Sequence, residues 1–278
     1  MIHTNFATTY DDFSSAWFAL LQNLFYNGKF VSPRGFETHE LHGVQLRVED
    51  LTQNILVHPA RSPNYRFMIA EWLWIAAGRE DIATMIRYNK QMAAFSDDGV
   101  TFAGAYGKRI SPQMPWIMEQ LQKPGSRQCV VQIWTPAPLP SKDIPCTLSW
   151  QLLSRDGALH AIVTMRSSDI WLGMPYDFFS FSQLTNSVAG ELNLVPGSLT
   201  FNLGSSHLYN RDREKAAGVL AASLQCISSP RLPNRPPADE ILSYDELLTT
   251  PWSIYRDALQ SKTSADALTC LKVLGGAK

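Results

Sequence analysis

Residues 146–166, CTLSWQLLSRDGALHAIVTMR, constrain the fold of this chain more than any other segment. Apolar and polar residues alternate on both sides of Asp156-Gly157. An Asp-Gly pair between two such runs is typical of a two-residue β-hairpin turn. Counting outward from this turn places Cys146 opposite Ser167. The pattern therefore predicts a hairpin whose open end holds a cysteine.

The open end of the predicted hairpin brings three reactive groups together, because Arg166 lies diagonal to Cys146 and Ser167 lies opposite it. A nearby cation lowers the pKa of a thiol and raises its thiolate fraction. An arginine beside a hydroxyl also suits phosphate. Cys146 is therefore either a nucleophile or a packed strand cysteine, which is the more common role of an unpaired cysteine.

The composition is that of one ordinary globular domain. Of the 278 residues, 45% are hydrophobic and 18% are charged, which provides enough apolar material for a sizeable core. The formal net charge of −1 gives no overall field that would attract nucleic acid or an acidic membrane. Any anionic ligand must therefore be bound by individual arginines, and we interpret residues 1–278 as a single domain.

The cysteines and histidines give no indication of a disulfide framework or a metal site. The four cysteines are scattered without a CxxC pair, and the six histidines form no HxxxH or HExxH motif. We therefore expect free thiols in a reducing, cytoplasmic setting, and no bound metal. The segment from Met1 to Phe25 has no basic region before its apolar part, so it predicts an amphipathic helix rather than a signal peptide.

Helical and strand-like segments alternate irregularly along the chain, and no internal repeat is visible. This order predicts an α+β fold with a largely buried mixed sheet. The predicted elements are a buried helix at 64–78 that ends at Gly78, a strand at 129–136, a second buried helix at 174–192 with Pro175 near its first turn, a strand at 198–210, and a proline-rich extended connection from about Ser228.

Two carboxylates stand in strongly apolar surroundings. Glu71 is the one polar residue between Phe67 and Ala77, which leaves little room for a polar helix face. A buried carboxyl there has a raised pKa and suits general acid–base chemistry, whereas the alternative is a carboxylate on a narrow solvent-exposed side of the helix.

Asp177 lies in GMPYDFFSF, where an ionised group is costly to desolvate unless it is paired. The alternative for Asp177 is a favourable interaction with a helix dipole.

Several other polar residues are candidates for ligand binding. Arg34, Arg127 and Arg166 are candidate phosphate ligands, although each alone is more often a surface arginine. His207 and Tyr209 are two residues apart on a predicted strand and therefore share a face. From that face they either bond a sugar hydroxyl or serve as half-buried strand residues.

Seven segments in chain order between Ser32 and Tyr209 resemble the thymidylate synthase family, including its deoxycytidylate hydroxymethylase branch. They are SPRG, AEWLW, GAYGKR, SRQ, IPCTLSWQ, MRSSDIWLGMPYD and GSSHLYNRD. The stretch from Arg166 to Asp177 is the most specific of them. The resemblance implies a mixed sheet packed with buried helices and a homodimer that associates sheet to sheet.

The resemblance also implies a role for each candidate residue. The implied residues are Cys146 as nucleophile with Glu71 and Tyr106 for catalysis; Arg34, Arg166, Ser167 and the partner subunit's Arg127 for phosphate; His207 and Tyr209 for the sugar 3′-hydroxyl; Asp169 for folate; and Asp177 for the base.

Three positions depart from the family pattern. Gln128 stands where the crossing loop usually has a second arginine, and Thr147 stands where a histidine usually follows the nucleophile. Asp177 stands where thymidylate synthases have the asparagine that reads uracil. A carboxylate accepts a hydrogen bond from the amino group of cytosine but has no donor for O4 of uracil, so this change predicts a cytidylate substrate.

The resemblance implies a transferase that hydroxymethylates C5 of a cytidine 5′-monophosphate, dCMP or CMP, with 5,10-methylenetetrahydrofolate as co-substrate. The sequence ends in CLKVLGGAK rather than in the apolar, proline-containing end of thymidylate synthases, which favours admission of water and hence hydroxymethylation. The alternatives are C5 methylation of dCMP, methylation or hydroxymethylation of dUMP, and a nucleotide-binding homologue that has lost catalysis. We expect the protein in the cytoplasm of a bacterium or of a phage-infected cell.

Overall fold

The computed structural model describes residues 8–135 and 140–222, so the predicted connection from Ser228, two of the cysteines (Cys226 and Cys270) and the C-terminal segment lie outside the described residues. The helices are α1 (Phe13–Asn27), α2 (Tyr65–Ala76), α3 (Ile82–Tyr88), α4 (Tyr106–Ile110), α5 (Met114–Leu121), α6 (Met174–Glu191) and α7 (Arg213–Ala221). The strands are β1 (Thr8–Tyr10), β2 (Lys29–Val31), β3 (Thr38–Val48), β4 (Val130–Gln132), β5 (Thr147–Arg155), β6 (Ala158–Met165), β7 (Ser168–Asp169) and β8 (Val195–Tyr209). Short 3-10 turns lie at Pro33–Gly35, Lys90–Phe95, Ser111–Gln113 and Asn210–Asp212.

The eight described strands form one sheet in the order β1-β3-β8-β6-β5-β4, with β2 paired to β3 and β7 paired to β8. β6 and β7 run parallel to β8, and β1 runs parallel to β3, whereas the other neighbouring pairs are antiparallel. This confirms the expected α+β fold with a mixed sheet. Because β6 and β7 follow each other along β8, the residues at their junction lie beside the C-terminal half of β8.

The predicted hairpin is confirmed as β5 and β6. Asp156 and Gly157 have φ values of 51° and 78°, the left-handed conformation that a type I′ turn requires at both central positions. The predicted register holds from Arg155–Ala158 to Ser149–Thr164.

At the open end of the hairpin, the prediction that Cys146 faces Ser167 is wrong. A β-bulge shifts the register between Thr147 and Ser149, so Thr147 pairs with Met165 instead of Arg166. The extra residue of a bulge moves everything beyond it by one position. As a result the backbone N–H of Arg166 donates to the carbonyl of Cys146 at 2.8 Å, and the arginine lies directly opposite the cysteine.

The same bulge shortens the strand predicted at 129–136. β4 ends at Gln132, because the backbone N–H groups of Ile133 and Trp134 both turn to the carbonyl of Leu148, at 2.9 and 3.0 Å. One carbonyl that accepts two successive donors cannot continue a regular ladder. Pro136, where the strand was expected to stop, lies outside the described residues.

Both predicted buried helices are confirmed. The side chain of Asn64 caps α2 by accepting a hydrogen bond from the backbone N–H of Phe67, and Gly78 follows the helix with a φ of 68°. Pro175 lies in the first turn of α6, where its missing N–H costs nothing. None of the described helices combines the length and the hydrophobicity that crossing a membrane requires.

The core between α6 and the sheet is built from aromatic rings. Phe178 stacks on Phe13 of α1 with a centroid distance of 4.1 Å, and its ring lies 5.2 Å from that of Phe201 on β8. α6 is buried on nearly all sides, which explains its lack of a polar face. α2 packs against α6. This packing brings the first turn of α6, which carries Asp177, towards Glu71.

Candidate active site

Cys146 lies just before β5, in a segment that Arg166 holds by its backbone. The guanidinium donates from Nε to the carbonyl of Pro145 at 2.9 Å and from Nη2 to the carbonyl of Ile144 at 2.9 Å. Nη2 also lies 3.7 Å from Sγ of Cys146. The predicted proximity of thiol and guanidinium is therefore present, with a closer approach than the regular hairpin register implied.

The ionisation of Cys146 depends on opposing influences. Burial raises the pKa of the thiol, and the charges of Asp177 and Asp143 raise it further, whereas the charges of Arg166 and Arg34 lower it. Burial is the largest of these influences, so the neutral thiol is favoured in this structure. The two arginines are the groups that stabilise the thiolate when it forms.

Tyr106 begins α4 and points its hydroxyl at the start of β5. Its oxygen accepts a hydrogen bond from the backbone N–H of Thr147 at 3.3 Å, one residue beyond Cys146. Burial, followed by the negative charges of Asp177 and Cys146, raises the pKa of this phenol well above its usual value. Tyr106 therefore remains protonated and presents a polar hydroxyl beside the thiol.

Glu71 and Asp177 form a pair of carboxyl groups in the same cleft. Burial raises the pKa of Glu71 to about 8, with a further contribution from the charge of Asp177. Burial likewise raises the pKa of Asp177 to about 7, and the charge of Asp169 adds to this effect. Neither carboxyl has a hydrogen-bond partner within residues 8–135 and 140–222, and both side chains are half-buried rather than fully enclosed. They are therefore available to hydrogen-bond a ligand.

Asp169 and His207 lie side by side because β7 and β8 pair in register at these two residues. Oδ1 of Asp169 accepts hydrogen bonds from the backbone N–H groups of Trp171 and Leu172 at 2.8 and 2.9 Å. Burial raises the pKa of the Asp169 carboxyl and lowers that of the His207 imidazole. Nδ1 of His207 lies 3.4 Å from Oγ of Ser167, which joins the predicted sugar and phosphate residues.

His207 and Tyr209 extend from the same face at the C-terminal end of β8, as expected. Their rings pack edge to face with a centroid distance of 5.2 Å, and the guanidinium of Arg211 lies 4.8 Å above the tyrosine ring. The predicted neighbourhood of these two side chains is therefore present.

Arg34 approaches the site from the turn at Pro33–Gly35. Its φ of 54° is a left-handed conformation that is uncommon for a residue other than glycine. The side chain is exposed, and its charge reaches the thiol of Cys146. An exposed cation whose charge acts on the thiol fits an anion ligand.

Arg127 is not brought to the site of its own chain. It lies in the irregular segment before β4 and is exposed, and its side chain has no hydrogen bond or ion pair to any residue that the structure describes. It differs in this respect from Arg166, which is held by two carbonyls.

One residue near the site was missed by the sequence predictions, and another was noted only as a departure from the family pattern. The carboxyl of Asp143, three residues before Cys146, accepts a hydrogen bond from the backbone N–H of Gly104 at 2.7 Å. Thr147 has a buried hydroxyl without a partner among the described residues. The signal for Asp143 was present in the sequence, as an acid close to a candidate nucleophile in SKDIPC.

Across residues 8–135 and 140–222, no cluster of three or more His, Cys, Asp or Glu side chains is placed to hold a metal ion.

Comparison with known proteins agrees with this geometry. Residues 15–245 match the thymidylate synthase family, a span that includes every predicted site residue from Arg34 to Tyr209. Over 214 residues the chain is 30% identical to the deoxyuridylate hydroxymethyltransferase of Bacillus phage SP01. That alignment covers 69% of this chain and 56% of the phage enzyme, so the chain spans just over half the length of this curated relative. The chain belongs to the thymidylate synthase family.

Proposed function

We propose that this protein hydroxymethylates C5 of a cytidine 5′-monophosphate. The observation that carries the proposal is the carboxyl of Asp177, which lies in the same cleft as Cys146 and has no hydrogen-bond partner among the described residues. A buried acid without a partner is costly, so its retention favours a role in ligand recognition.

Cys146 is the proposed nucleophile. Its Sγ forms a bond to C6 of the pyrimidine, which moves electron density to C5 and makes that carbon nucleophilic. Arg166, 3.7 Å from Sγ, stabilises the thiolate before attack and receives the phosphate of the nucleotide with its remaining N–H groups. Elimination of the thiolate restores the aromatic ring at the end of the reaction.

Tyr106 and Glu71 are the proposed proton-transfer groups. Because burial raises the pKa of Glu71 to about 8, this carboxyl is mostly protonated near neutral pH and can donate a proton as well as accept one. The hydroxyl of Tyr106, fixed by the N–H of Thr147, helps remove the proton from C5 with an ordered water.

Asp177 is the proposed reader of the base. Its pKa of about 7 means that the neutral acid and the carboxylate are both populated near neutral pH. The neutral acid matches cytosine at two points, since its O–H donates to N3 and its carbonyl accepts from the amino group. A proton shared with N3 also makes C6 more electrophilic.

The sugar and phosphate contacts are proposed from the other polar residues. Arg34, Arg166 and Ser167 would bind phosphate, together with the partner subunit's Arg127 in a homodimer that associates through its sheets. His207 and Tyr209 would bind the 3′-hydroxyl. The exposure of Arg127 and its lack of contacts within the described chain support a role across the dimer.

Asp169 fits the proposed folate contact. Its Oδ1 is occupied by two backbone N–H groups, whereas Oδ2 has no hydrogen bond to the described residues. A pterin ring presents an amino group and a ring N–H as donors, so the free oxygen suits it. When bound, 5,10-methylenetetrahydrofolate supplies the one-carbon unit. We propose hydroxymethylation rather than methylation because the phage relative is a hydroxymethyltransferase.

The test is product analysis by mass spectrometry after incubation with methylenetetrahydrofolate and, separately, CMP, dCMP, UMP and dUMP. We expect a gain of one CH2O unit on a cytidylate and formation of tetrahydrofolate. A gain of CH2 with formation of dihydrofolate would contradict hydroxymethylation, and modification of uridylates alone would contradict the base assignment. The Cys146→Ser variant is the control, and product formation by it would contradict the role of the thiol.

Hydroxymethylation of a uridylate is the second candidate, favoured by the name of the phage relative. The neutral form of Asp177 can also pair with uracil, because its O–H donates to O4 and its carbonyl accepts from N3–H. The ionised form cannot, since it places negative charge against O4. The nucleotide panel separates the two candidates directly.

A further inference from the structure

We propose that Asp143 is a positioning residue that fixes the Cys146 segment against the Tyr106 segment. This inference rests on the proposed function, in which the thiol and the phenol act on the same pyrimidine ring. No hydrogen bond joins the two side chains directly. The hydroxyl of Tyr106 accepts a long hydrogen bond, 3.3 Å, from the N–H of Thr147, and the backbone segments that carry the two residues must hold that geometry.

The contact between the two segments is direct and close. Oδ2 of Asp143 accepts a hydrogen bond from the N–H of Gly104, two residues before Tyr106, at 2.7 Å. A Cβ atom on Gly104 would lie 2.4 Å from the backbone oxygen of Asp143 and 2.9 Å from Oδ2. Only glycine therefore permits this approach.

Neighbouring side chains hold the same segment in place. Ser141 donates to Oδ2 of Asp97 at 2.5 Å, and the N–H of Lys142 donates to Oδ1 of Asp97 at 3.0 Å. The N–H of Asp143 in turn donates to Oγ of Ser141 at 2.9 Å. Residues 141–143 are thus docked on the 97–104 loop by side chains rather than by a strand ladder, and Asp143 makes the contact nearest to the catalytic pair.

The carboxyl of Asp143 also acts on the thiol through its charge. Asp143 raises the pKa of Cys146, alongside burial and Asp177. Burial raises the pKa of Asp143 itself, and the charge of Asp97 raises it as well. The hydrogen bond from Gly104 and the charge of Arg109 lower it. Arg166 and Arg34 oppose the effect of Asp143 on the thiol. Position and charge are therefore two separable contributions of one side chain.

Two substitutions separate them. Asp143→Asn keeps a carbonyl oxygen that can accept from Gly104 but removes the charge, whereas Asp143→Ala removes both. For Asp143→Asn we expect kcat within about twofold of the wild type, and for Asp143→Ala a loss of about tenfold or more with KM little changed. In both variants the pH midpoint for alkylation of Cys146 should move down, because a negative charge near the thiol is gone.

Three measurements decide the outcome. Turnover is assayed with the nucleotide that the wild type uses, alkylation is followed on the free enzyme by mass spectrometry of the Cys146 peptide, and hydrogen exchange reports on the amide of Gly104. Faster exchange of the Gly104 amide in Asp143→Ala but not in Asp143→Asn supports the positioning role of Asp143 even if no nucleotide is turned over. Failure of the positioning role can therefore be told apart from failure of the proposed function. Equal kcat for Asp143→Ala and the wild type, or equal losses in both variants, would overturn the proposal.

Discussion

Nη2 of Arg166 lies 3.7 Å from Sγ of Cys146 and at the same time donates to the carbonyl of Ile144 at 2.9 Å. The cation beside the nucleophile is thus locked by the backbone that carries the nucleophile. Nη1 of Arg166 has no hydrogen-bond partner among the described residues and remains available for an anion. The same side chain therefore connects phosphate binding to the position and the ionisation of the thiol.

Replacing Arg166 by glutamine should make Cys146 harder to ionise. Loss of the nearby positive charge raises the pKa of the thiol, so the rate of alkylation should reach its midpoint at a higher pH than in the wild type. Mass spectrometry of the Cys146 peptide measures this without interference from other cysteines. Arg155→Gln, at the opposite end of the hairpin, is the matched control, and an equal shift in both variants would contradict the assignment.

Replacing Glu71 by glutamine should stabilise the protein while removing turnover. The pKa of Glu71 rises from 4.5 to about 8 on folding, chiefly through burial, so the unfolded chain loses this proton first as the pH rises. The free energy of unfolding of the wild type therefore decreases as the pH rises from 4.5 to about 8. At higher pH the full penalty for burying the carboxylate remains. At about pH 8 we expect Glu71→Gln to gain on the order of 2 kcal/mol in the free energy of unfolding, and at about pH 4 almost none.

Thermal or urea unfolding across this pH range tests that prediction. A gain that does not change with pH would contradict it, since a glutamine that merely packs better would stabilise at every pH. Glu80→Gln is a suitable control, because Glu80 pairs with Lys108 at the surface and its charge is not buried.

Much of the fold was predictable from local sequence patterns. The Asp156-Gly157 turn and the apolar run around Glu71 each specify one structure through local physics, and both were found as expected. The bulge before Ser149 was not, because the carbonyl of Leu148 accepts from both Ile133 and Trp134, which follow β4 and lie about fifteen residues earlier in the chain. Tertiary contacts of this kind leave no local signal.

The candidate site divides in the same way. Residues with family-specific neighbours, such as Cys146 and Asp177, could be identified from the motif in which they lie. Asp143 belongs to none of these motifs. Its position near the candidate nucleophile was a signal, but its contact depends on the absence of a side chain at Gly104, nearly forty residues earlier, and no local pattern shows that. The role of Arg127 is different again. It is proposed to act in the site of the partner subunit, so a single chain does not bring it to a phosphate site.

The preference between bases should depend on pH. Asp177 has a pKa of about 7 and is surrounded by Glu71, Asp169, Tyr106 and Cys146. Below that pH its neutral form can pair with either base, whereas above it the carboxylate repels O4 of uracil but still accepts from the amino group of cytosine. The ratio of kcat/KM for cytidylate to that for uridylate should therefore rise as the pH increases through 7. A ratio that falls or stays level would contradict this reading.

Mixing two inactive variants should restore activity if Arg127 acts across a dimer. A heterodimer of Cys146→Ser with Arg127→Ala has one site with an intact cysteine and the partner subunit's Arg127. When equal amounts of the two variants are unfolded and refolded together, half of the dimers should be heterodimers, each with one complete site of two. The mixture should therefore show about a quarter of the wild-type activity. If Arg127 instead serves its own chain, no site in the mixture is complete, and activity should stay at the average of the separate variants.

The most direct test of the account is the effect of Asp177→Asn on base preference, measured as kcat/KM for cytidylate and uridylate with the wild type as reference. An amide donates to O4 and accepts from N3–H of uracil at every pH. It can also bond N3 and the amino group of cytosine, but unlike the acid it has no proton to share with N3, so the activation of C6 is lost. We predict that cytidylate turnover falls by about a hundredfold or more while uridylate turnover rises. Unchanged cytidylate turnover in this variant would show that Asp177 does not read the base.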